Sequence, residues 1–151
     1  KDHDAELGQV VAALIRADGG DRSRLCIGGF GAPSVEACRV ELPDVASSAH
    51  VREVRRALYA SWVGWPVRAA AYGGYQVPEV RGRLRVVSRR FIRTAHRAGH
   101  RVQVWTVNEA ADMHRLLDWG VDALITDVPD VAARVLASRR ARPGQLSDRR
   151  P

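Results

Sequence analysis

Short apolar segments recur along this chain at intervals of about 20 to 30 residues, and a stretch with the apolar spacing of a helix separates each from the next. This alternation predicts βαβ units and therefore a parallel sheet, because two parallel strands need a crossover connection between them. The strands are predicted within residues 24–30, 44–50, 67–78, 100–108 and 121–127. The sequence thus predicts an α/β fold.

A doubly wound sheet and a (β/α)₈ barrel both fit this alternation. The glycine-rich phosphate-binding motifs of nucleotide-binding folds do not follow any predicted strand, which disfavours the nucleotide-binding versions. A complete (β/α)₈ barrel has about 250 residues, whereas this chain has 151 residues and five predicted strands. If the fold is a barrel, the chain is therefore expected to be part of one.

Composition narrows the classes of partner. The formal net charge is +7, but five of the arginines fall within the last thirteen residues, so we expect no nucleic-acid partner. No apolar run approaches the roughly 18 residues of a membrane-spanning helix, so no transmembrane segment is predicted. The two cysteines, Cys26 and Cys38, lie among apolar residues and are expected to be buried, inert thiols. The chain does not begin with methionine, and the sequence leaves the compartment and the oligomeric state open.

Candidate functional residues follow the strands, because parallel α/β folds bind ligands at the carboxyl ends of their strands. These positions include Phe30, His50, Gln76, residues 105–108 and residues 126–127. In the fourth predicted strand, Val102, Val104 and Thr106 are expected on one face, and Gln103, Trp105 and Val107 on the other. Trp105 would then face inward near the mouth, either as a wall against a ligand or as a plug of the core.

The remaining polar candidates have structural interpretations. Three histidines are expected on or beside helices, away from the mouth: His96, His100 and His114. His50 lies at a strand end, but no Ser or Cys with a supporting acid is placed to form a triad with it. We expect Asp127 and Asp130 to cap the last helix, and Asn108 to cap the helix before it. No carboxylate pair has the spacing of a metal site, so no metal ligand is predicted in this chain.

One long segment supports a more specific hypothesis. AHRAGHRVQVWTVNEAADMHRLLDWGVDALITDVPDVA (95–132) resembles the C-terminal part of glycerophosphodiester phosphodiesterases, whose last two strand–helix units carry an "AH..G..V.VWTVN" block and a "GVD.IITD.P" block. RLCIGGF (24–30), DVASSAHVREV (44–54) and GGYQVPEVRG (73–82) resemble earlier segments of the same family. The resemblance covers residues 1 to about 138, and residues 139–151 are predicted to be a disordered basic tail.

The resemblance implies a parallel (β/α)₈ barrel, of which this chain covers about the last five strand–helix units. It implies hydrolysis of a small-molecule glycerophosphodiester, from lipid metabolism, to an alcohol and glycerol 3-phosphate with a divalent cation, calcium or magnesium. The family's catalytic histidines and metal ligands lie in N-terminal motifs that this sequence does not contain. The chain alone is therefore expected to be inactive, and the alternative hypothesis is a non-catalytic half-barrel that binds a ligand.

The resemblance also implies roles for particular residues. Lys1 occupies the place of the family's phosphate-binding lysine on the third strand, where an ammonium would stabilise developing negative charge. Trp105 matches the tryptophan of the family's VWTVN motif, which lines the substrate pocket, and Phe30 is expected to bind substrate beside it. Lys1 and Trp105 are the predicted catalytic residues. Gly28 and Gly29 stand where the family commonly has small hydroxyl residues.

Overall fold

The computed structural model describes residues 4–67 and 71–141. Over these ranges helices and strands alternate as the sequence predicts. The helices are α1 (Ala5–Asp18), α2 (Ala32–Glu41), α3 (Val51–Val63), α4 (Arg89–Arg97), α5 (Ala110–Trp119) and α6 (Pro129–Arg140). The strands are β1 (Cys26–Ile27), β2 (Ala46–Ser47), β3 (Gly74–Pro78), β4 (Val80–Arg81), β5 (Leu84–Arg85), β6 (Arg101–Trp105) and β7 (Ala123–Leu124).

Five strands run parallel and lie side by side in chain order. β1 pairs with β2, and β6 lies between β3 and β7. A parallel bridge between Ser48 and Gly74 joins the two groups, and the amide of Ala49 donates to the carbonyl of Gly74 at 2.8 Å. A helix precedes or follows each of these strands, so the predicted α/β fold with parallel strands is confirmed.

An antiparallel hairpin, β4–β5, lies between β3 and α4 and is not predicted by the sequence pattern. Its segment is rich in arginine and shows no apolar alternation, and Gly82 at its turn has φ +62°. Glu79 holds the hairpin in place: its carboxylate accepts two hydrogen bonds from Arg115, at 2.8 and 2.9 Å, and one from Arg85 at 3.2 Å. The hairpin is therefore positioned by charge pairing rather than by burial of apolar residues.

The core lies between one face of the strands and the helices. Tyr75, Val77, Val102 and Val104 are at most 1% exposed, and they pack with apolar residues of α4 and α5. The opposite, inner face is only partly covered. The predicted alternation holds through Trp105 but is wrong beyond it: Thr106 is exposed and Val107 is buried, because β6 ends at Trp105.

The two cysteines differ. Cys38 is 3% exposed, and its thiol donates to the carbonyl of Gly8 at 3.1 Å, where α1 and α2 pack closely. Cys26 is exposed on the inner face, so the prediction of burial is correct for Cys38 and wrong for Cys26. At the other end of the chain, α6 continues to Arg140, two residues beyond the predicted end of the domain at residue 138.

Arg39 of α2 joins three elements through one guanidinium group. It donates to the hydroxyl of Ser47 at 2.8 Å, to the carbonyl of Ser48 at 3.0 Å, and to both carboxylate oxygens of Glu53 in α3, at 2.9 and 3.0 Å. Glu53 also accepts from the amide of His50 and so caps the start of α3. Burial raises the pKa of Glu53, but the hydrogen bonds from Arg39 and His50 outweigh it, and the net pKa is lowered.

We expect Glu53→Gln to lower the free energy of unfolding at pH 7 by about 1 to 3 kcal/mol, because Arg39 loses its charged partner in a largely buried place. The pKa of Glu53 is lower in the folded chain than the ordinary value of 4.5, so its contribution is fully present above that pH. The contribution is lost as the pH falls through the folded pKa. The difference in the free energy of unfolding between the unaltered chain and Glu53→Gln should therefore decrease as the pH falls below about 4.5.

Urea unfolding at several pH values, followed by circular dichroism, measures this difference in the free energy of unfolding. Glu6→Gln, which removes an exposed carboxylate from the first turn of α1, is the control and should cost less than about 0.5 kcal/mol. A difference that stayed constant between pH 7 and pH 3 would contradict the assigned role of Glu53.

Candidate functional site

Two predicted substrate-binding residues meet at the carboxyl ends of the parallel strands. Phe30 follows β1 and Trp105 ends β6, and their ring centroids lie 6.1 Å apart with the ring planes at 63°. β2 and β3 lie between these strands in the strand order, so the two rings reach across the inner face of the sheet. An edge-to-face pair at this distance is a favourable aromatic contact.

The side chain of Trp105 is directed to the inner face of the sheet. Its ring is half-buried and does not belong to the main hydrophobic core, which lies on the other face of β6. Phe30 is 48% exposed. The two rings therefore form a contact pair at the strand ends, on the inner face that the chain leaves partly uncovered.

The inner face of the sheet also carries polar side chains, which lie on the same strands as the aromatic pair or on strands next to them. The amide of Gln76 in β3 donates to the side-chain oxygen of Gln103 in β6 at 3.1 Å. A Cβ atom on Gly28 would lie 3.0 Å from both the Gln76 amide oxygen and the Ser48 hydroxyl. The side chains of Gln76 and Ser48 therefore leave little room at position 28 for a residue larger than glycine.

Two of the predicted candidate positions, residues 105–108 and 126–127, meet in a polar cluster that joins the ends of β6 and β7. The side-chain oxygen of Asn108 accepts from the Thr126 hydroxyl and from the amide of Asp127, both at 3.0 Å, and its nitrogen donates to the Asp127 carboxylate at 3.2 Å. The Thr126 hydroxyl also accepts from the amide of Val128 at 3.1 Å. Asn108 therefore fixes the loop that follows β7.

This cluster overturns the predicted helix caps. The N-caps of α5 and α6 are Glu109 and Val128, and neither forms a side-chain capping hydrogen bond. Asn108 and Asp127 bond to each other because the two strand ends are adjacent, a proximity that local sequence does not reveal. Asp130 lies in the first turn of α6 and pairs with Arg134 at 2.9 Å instead of capping.

Three of the described histidines have structural contacts. His50 is 4% exposed, and its Nε2 lies 3.4 Å from Glu36 and 3.5 Å from Glu53, so it belongs to the Arg39 network. His100 is 4% exposed and stacks on Tyr72 with centroids 4.5 Å apart. His96 contacts Asp122 at 2.8 Å.

Lys1, the predicted phosphate ligand, lies outside the described residues. Over residues 4–67 and 71–141, no group of three or more His, Cys, Asp or Glu side chains is arranged to hold a metal ion. In the same part of the chain, no helix has the length and apolar character needed to span a membrane.

Comparison with known protein families now identifies the relatives of the chain. The sequence model of the glycerophosphoryl diester phosphodiesterase family matches residues 2–131. The chain belongs to this family. The match includes Phe30, Trp105 and the Asn108 cluster, so the site described above lies within the family's own domain.

Curated relatives match over shorter stretches. The probable glycerophosphodiester phosphodiesterase 2 of Mycobacterium tuberculosis is 42% identical over 64 residues, which are 42% of this chain and 24% of that protein. The glycerophosphodiester phosphodiesterase of Bacillus subtilis is 58% identical over 31 residues, 20% of this chain and 11% of that protein. The matched segments thus span a quarter or less of these relatives' length.

Solved structures of similar fold cover nearly all of the chain. A protein from Silicibacter pomeroyi, assigned as a glycerophosphoryl diester phosphodiesterase, matches with a TM-score of 0.68 and 24% identity over 90% of this chain and 45% of that one. A glycerophosphodiester phosphodiesterase from Parabacteroides distasonis matches with a TM-score of 0.65 and 15% identity, over 93% of this chain and 56% of that one. The chain therefore has the fold of about half of these family structures.

We expect Asn108→Ala in this family member to lower the free energy of unfolding by about 0.5 to 1.5 kcal/mol, because it removes exposed hydrogen bonds to Thr126 and Asp127 that water can partly replace. Asn108→Asp keeps the oxygen that accepts both hydrogen bonds but replaces the donor nitrogen by a carboxylate oxygen that faces Asp127. The two carboxylates should make this variant less stable at pH 7, and its stability should recover as the pH falls towards 4. Urea unfolding measures both effects. Equal stability of Asn108→Ala and the unaltered chain would show that the cluster does not hold the loop.

Proposed function

We propose that this chain forms the C-terminal part of a phosphodiesterase domain that hydrolyses glycerophosphodiesters to an alcohol and glycerol 3-phosphate. The pairing of Phe30 and Trp105 carries the proposal. Both residues lie within the region matched by the family, at the carboxyl ends of parallel strands, where α/β folds of this kind bind ligands. Family membership and the curated relatives support the reaction class.

The proposed place of the chain in the domain is the last five strand–helix units of a (β/α)₈ barrel. Five parallel strands in chain order, each separated by a helix, support this assignment. The share of the Silicibacter pomeroyi structure that the chain covers, 45%, agrees with about half of such a barrel. The partly covered inner face of the strands would then face the remaining strands of the domain.

Within this domain we assign the chain a binding role. The rings of Phe30 and Trp105 provide an apolar wall that orients the organic part of the diester and excludes water from one side of the phosphate. Lys1 is assigned to a phosphate oxygen, where its ammonium would stabilise the negative charge that develops during P–O bond cleavage. The Asn108 cluster positions the loop beside this wall.

The family implies calcium or magnesium, and the chemistry such an ion supplies when bound is neutralisation of the phosphate charge. The described residues do not fit a complete site for it, since they contain no group of three or more candidate ligands. The sequence also lacks the N-terminal motifs of the family. We therefore derive no step through the metal from this chain.

The test uses the protein encoded by the complete reading frame that contains this chain. Glycerophosphocholine hydrolysis with calcium or magnesium would be followed by the release of glycerol 3-phosphate. Trp105→Ala and Phe30→Ala should each lower kcat/KM by about tenfold or more through a higher KM, because each removes an aromatic contact worth about 1.5 kcal/mol or more. Tyr59→Ala, an exposed aromatic residue of α3, is the matched control.

Two further outcomes separate this proposal from its alternative. The 151-residue chain alone should not hydrolyse the diester, and hydrolysis at enzymatic rates would contradict the division of roles. A non-catalytic ligand-binding half-barrel would instead be monomeric, would unfold cooperatively and would bind the diester without turnover. A start codon immediately before Lys1, together with that behaviour, would replace the enzyme proposal by the binding one.

A further inference from the structure

A second surface of the molecule combines exposed aromatic side chains with unpaired positive charge. It consists of the outer side of α3, the loop that follows it and the adjoining side of α4, and we call it the α3–α4 surface. Its members are Arg52, Arg55, Arg56, Tyr59, Trp62, Val63, Trp65, Arg93 and Arg97. The α3 members recur at intervals of three, four and seven residues, so they share one face of the helix.

The apolar members of the α3–α4 surface are open to solvent. Trp65 is 72% exposed and Val63 65%, while Tyr59 and Trp62 are about half exposed and pack edge to face with centroids 5.3 Å apart. Single exposed apolar residues are common on soluble proteins, but a contiguous group of this kind marks an interaction surface. These four residues occupy the last two turns of α3 and the loop after it.

The charge of the same surface is not compensated by acids. Among residues 4–67 and 71–141, no ion pair involves Arg52, Arg55, Arg56, Arg93 or Arg97. The acidic residue of α3, Glu53, bonds to Arg39 on the inner side of the helix, and the sequence of α4 contains no acid. The surface is therefore suited to an anionic partner.

The aromatic and the basic parts form one continuous feature. A groove of about 350 Å³ between the end of α3 and α4 is lined by Trp65 and Pro66 on one side and by Arg93 and Arg97 on the other. Arg90 donates to the carbonyl of Trp62 at 2.9 Å and so ties the two helices together. Arg93 and Arg97 thus line the same groove as the exposed Trp65.

We propose that the α3–α4 surface binds the anionic headgroup layer of a lipid bilayer. Tryptophan and tyrosine favour the interface between headgroups and acyl chains, and arginines beside them can pair with lipid phosphates. Val63, between the two tryptophans, would gain from contact with the acyl boundary, whereas a nucleic acid would offer it only phosphates and base faces. Binding of lipid by the α3–α4 surface does not depend on the proposed hydrolysis.

Sedimentation with vesicles of the protein encoded by the complete reading frame that contains this chain tests the proposal. We expect binding to phosphatidylcholine vesicles that contain 30% phosphatidylserine, little binding to pure phosphatidylcholine, and weakening of the binding as salt is raised from low to physiological concentration. Tryptophan fluorescence should shift to the blue on binding. Trp62→Ala/Trp65→Ala should abolish the shift and most of the binding, while circular dichroism confirms that the fold is retained.

The charge component has a matched control. Arg93→Gln/Arg97→Gln should weaken binding by about 30-fold, since each basic residue at an anionic surface contributes a factor of about five. Arg24→Gln/Arg83→Gln removes the same charge from two exposed arginines elsewhere and should change binding less than threefold. If both pairs of substitutions weakened binding equally, net charge rather than this surface would be responsible, and the proposal would be wrong.

Three other results would overturn the proposal. Equal binding to vesicles with and without phosphatidylserine would show that anionic lipid does not contribute to binding. Binding of a DNA duplex but not of vesicles, lost in Arg93→Gln/Arg97→Gln, would assign the surface to nucleic acid. Concentration-dependent dimerisation that protects Trp62 and Trp65 from a quencher, without vesicle binding, would assign it to a second copy of the chain. Hydrolysis of water-soluble glycerophosphocholine should be unchanged in these variants, so failure here leaves the proposed function intact.

Discussion

The guanidinium group of Arg39 holds together the first half of this structure. β1 and β2 are each two residues long, so their ladder contains few hydrogen bonds. Arg39 adds four hydrogen bonds that connect α2 to β2 and to the start of α3. The amide of Val51, at that start, donates to the carbonyl of Phe30 at 3.3 Å. The position of Phe30 therefore depends on the hydrogen bonds of Arg39, which does not itself contact the aromatic pair.

Similar contacts position the rest of the candidate site. Glu79 joins the hairpin after β3 to Arg115 in α5, and Asn108 joins the end of β6 to the loop after β7. In each case a polar side chain connects a strand end to a neighbouring element. Because loops at strand ends lack the regular ladder of a sheet, such bonds fix their backbone groups.

The two proposed surfaces use aromatic residues in different ways. Phe30 and Trp105 meet across the sheet and form a partly covered wall at the strand ends, which suits a small ligand held in one orientation. Trp62 and Trp65 project outward beside unpaired arginines, which suits a flat anionic layer. The two proposals assign both surfaces to phosphate groups, the first to those of a small diester and the second to those of lipid headgroups.

The sequence by itself determined the parallel α/β fold, the family and the position of Trp105 at a strand end. These follow from local periodicity and from motifs that are continuous in the chain, such as VWTVN. Only the tertiary structure decided that Phe30 touches Trp105, that Asn108 bonds to Asp127 instead of capping α5, and that Glu79 holds a hairpin against α5. Each of these pairs is separated by between 19 and 75 residues along the chain. Periodicity shows which face of an element is buried, but which side chains meet across that face depends on how the elements pack.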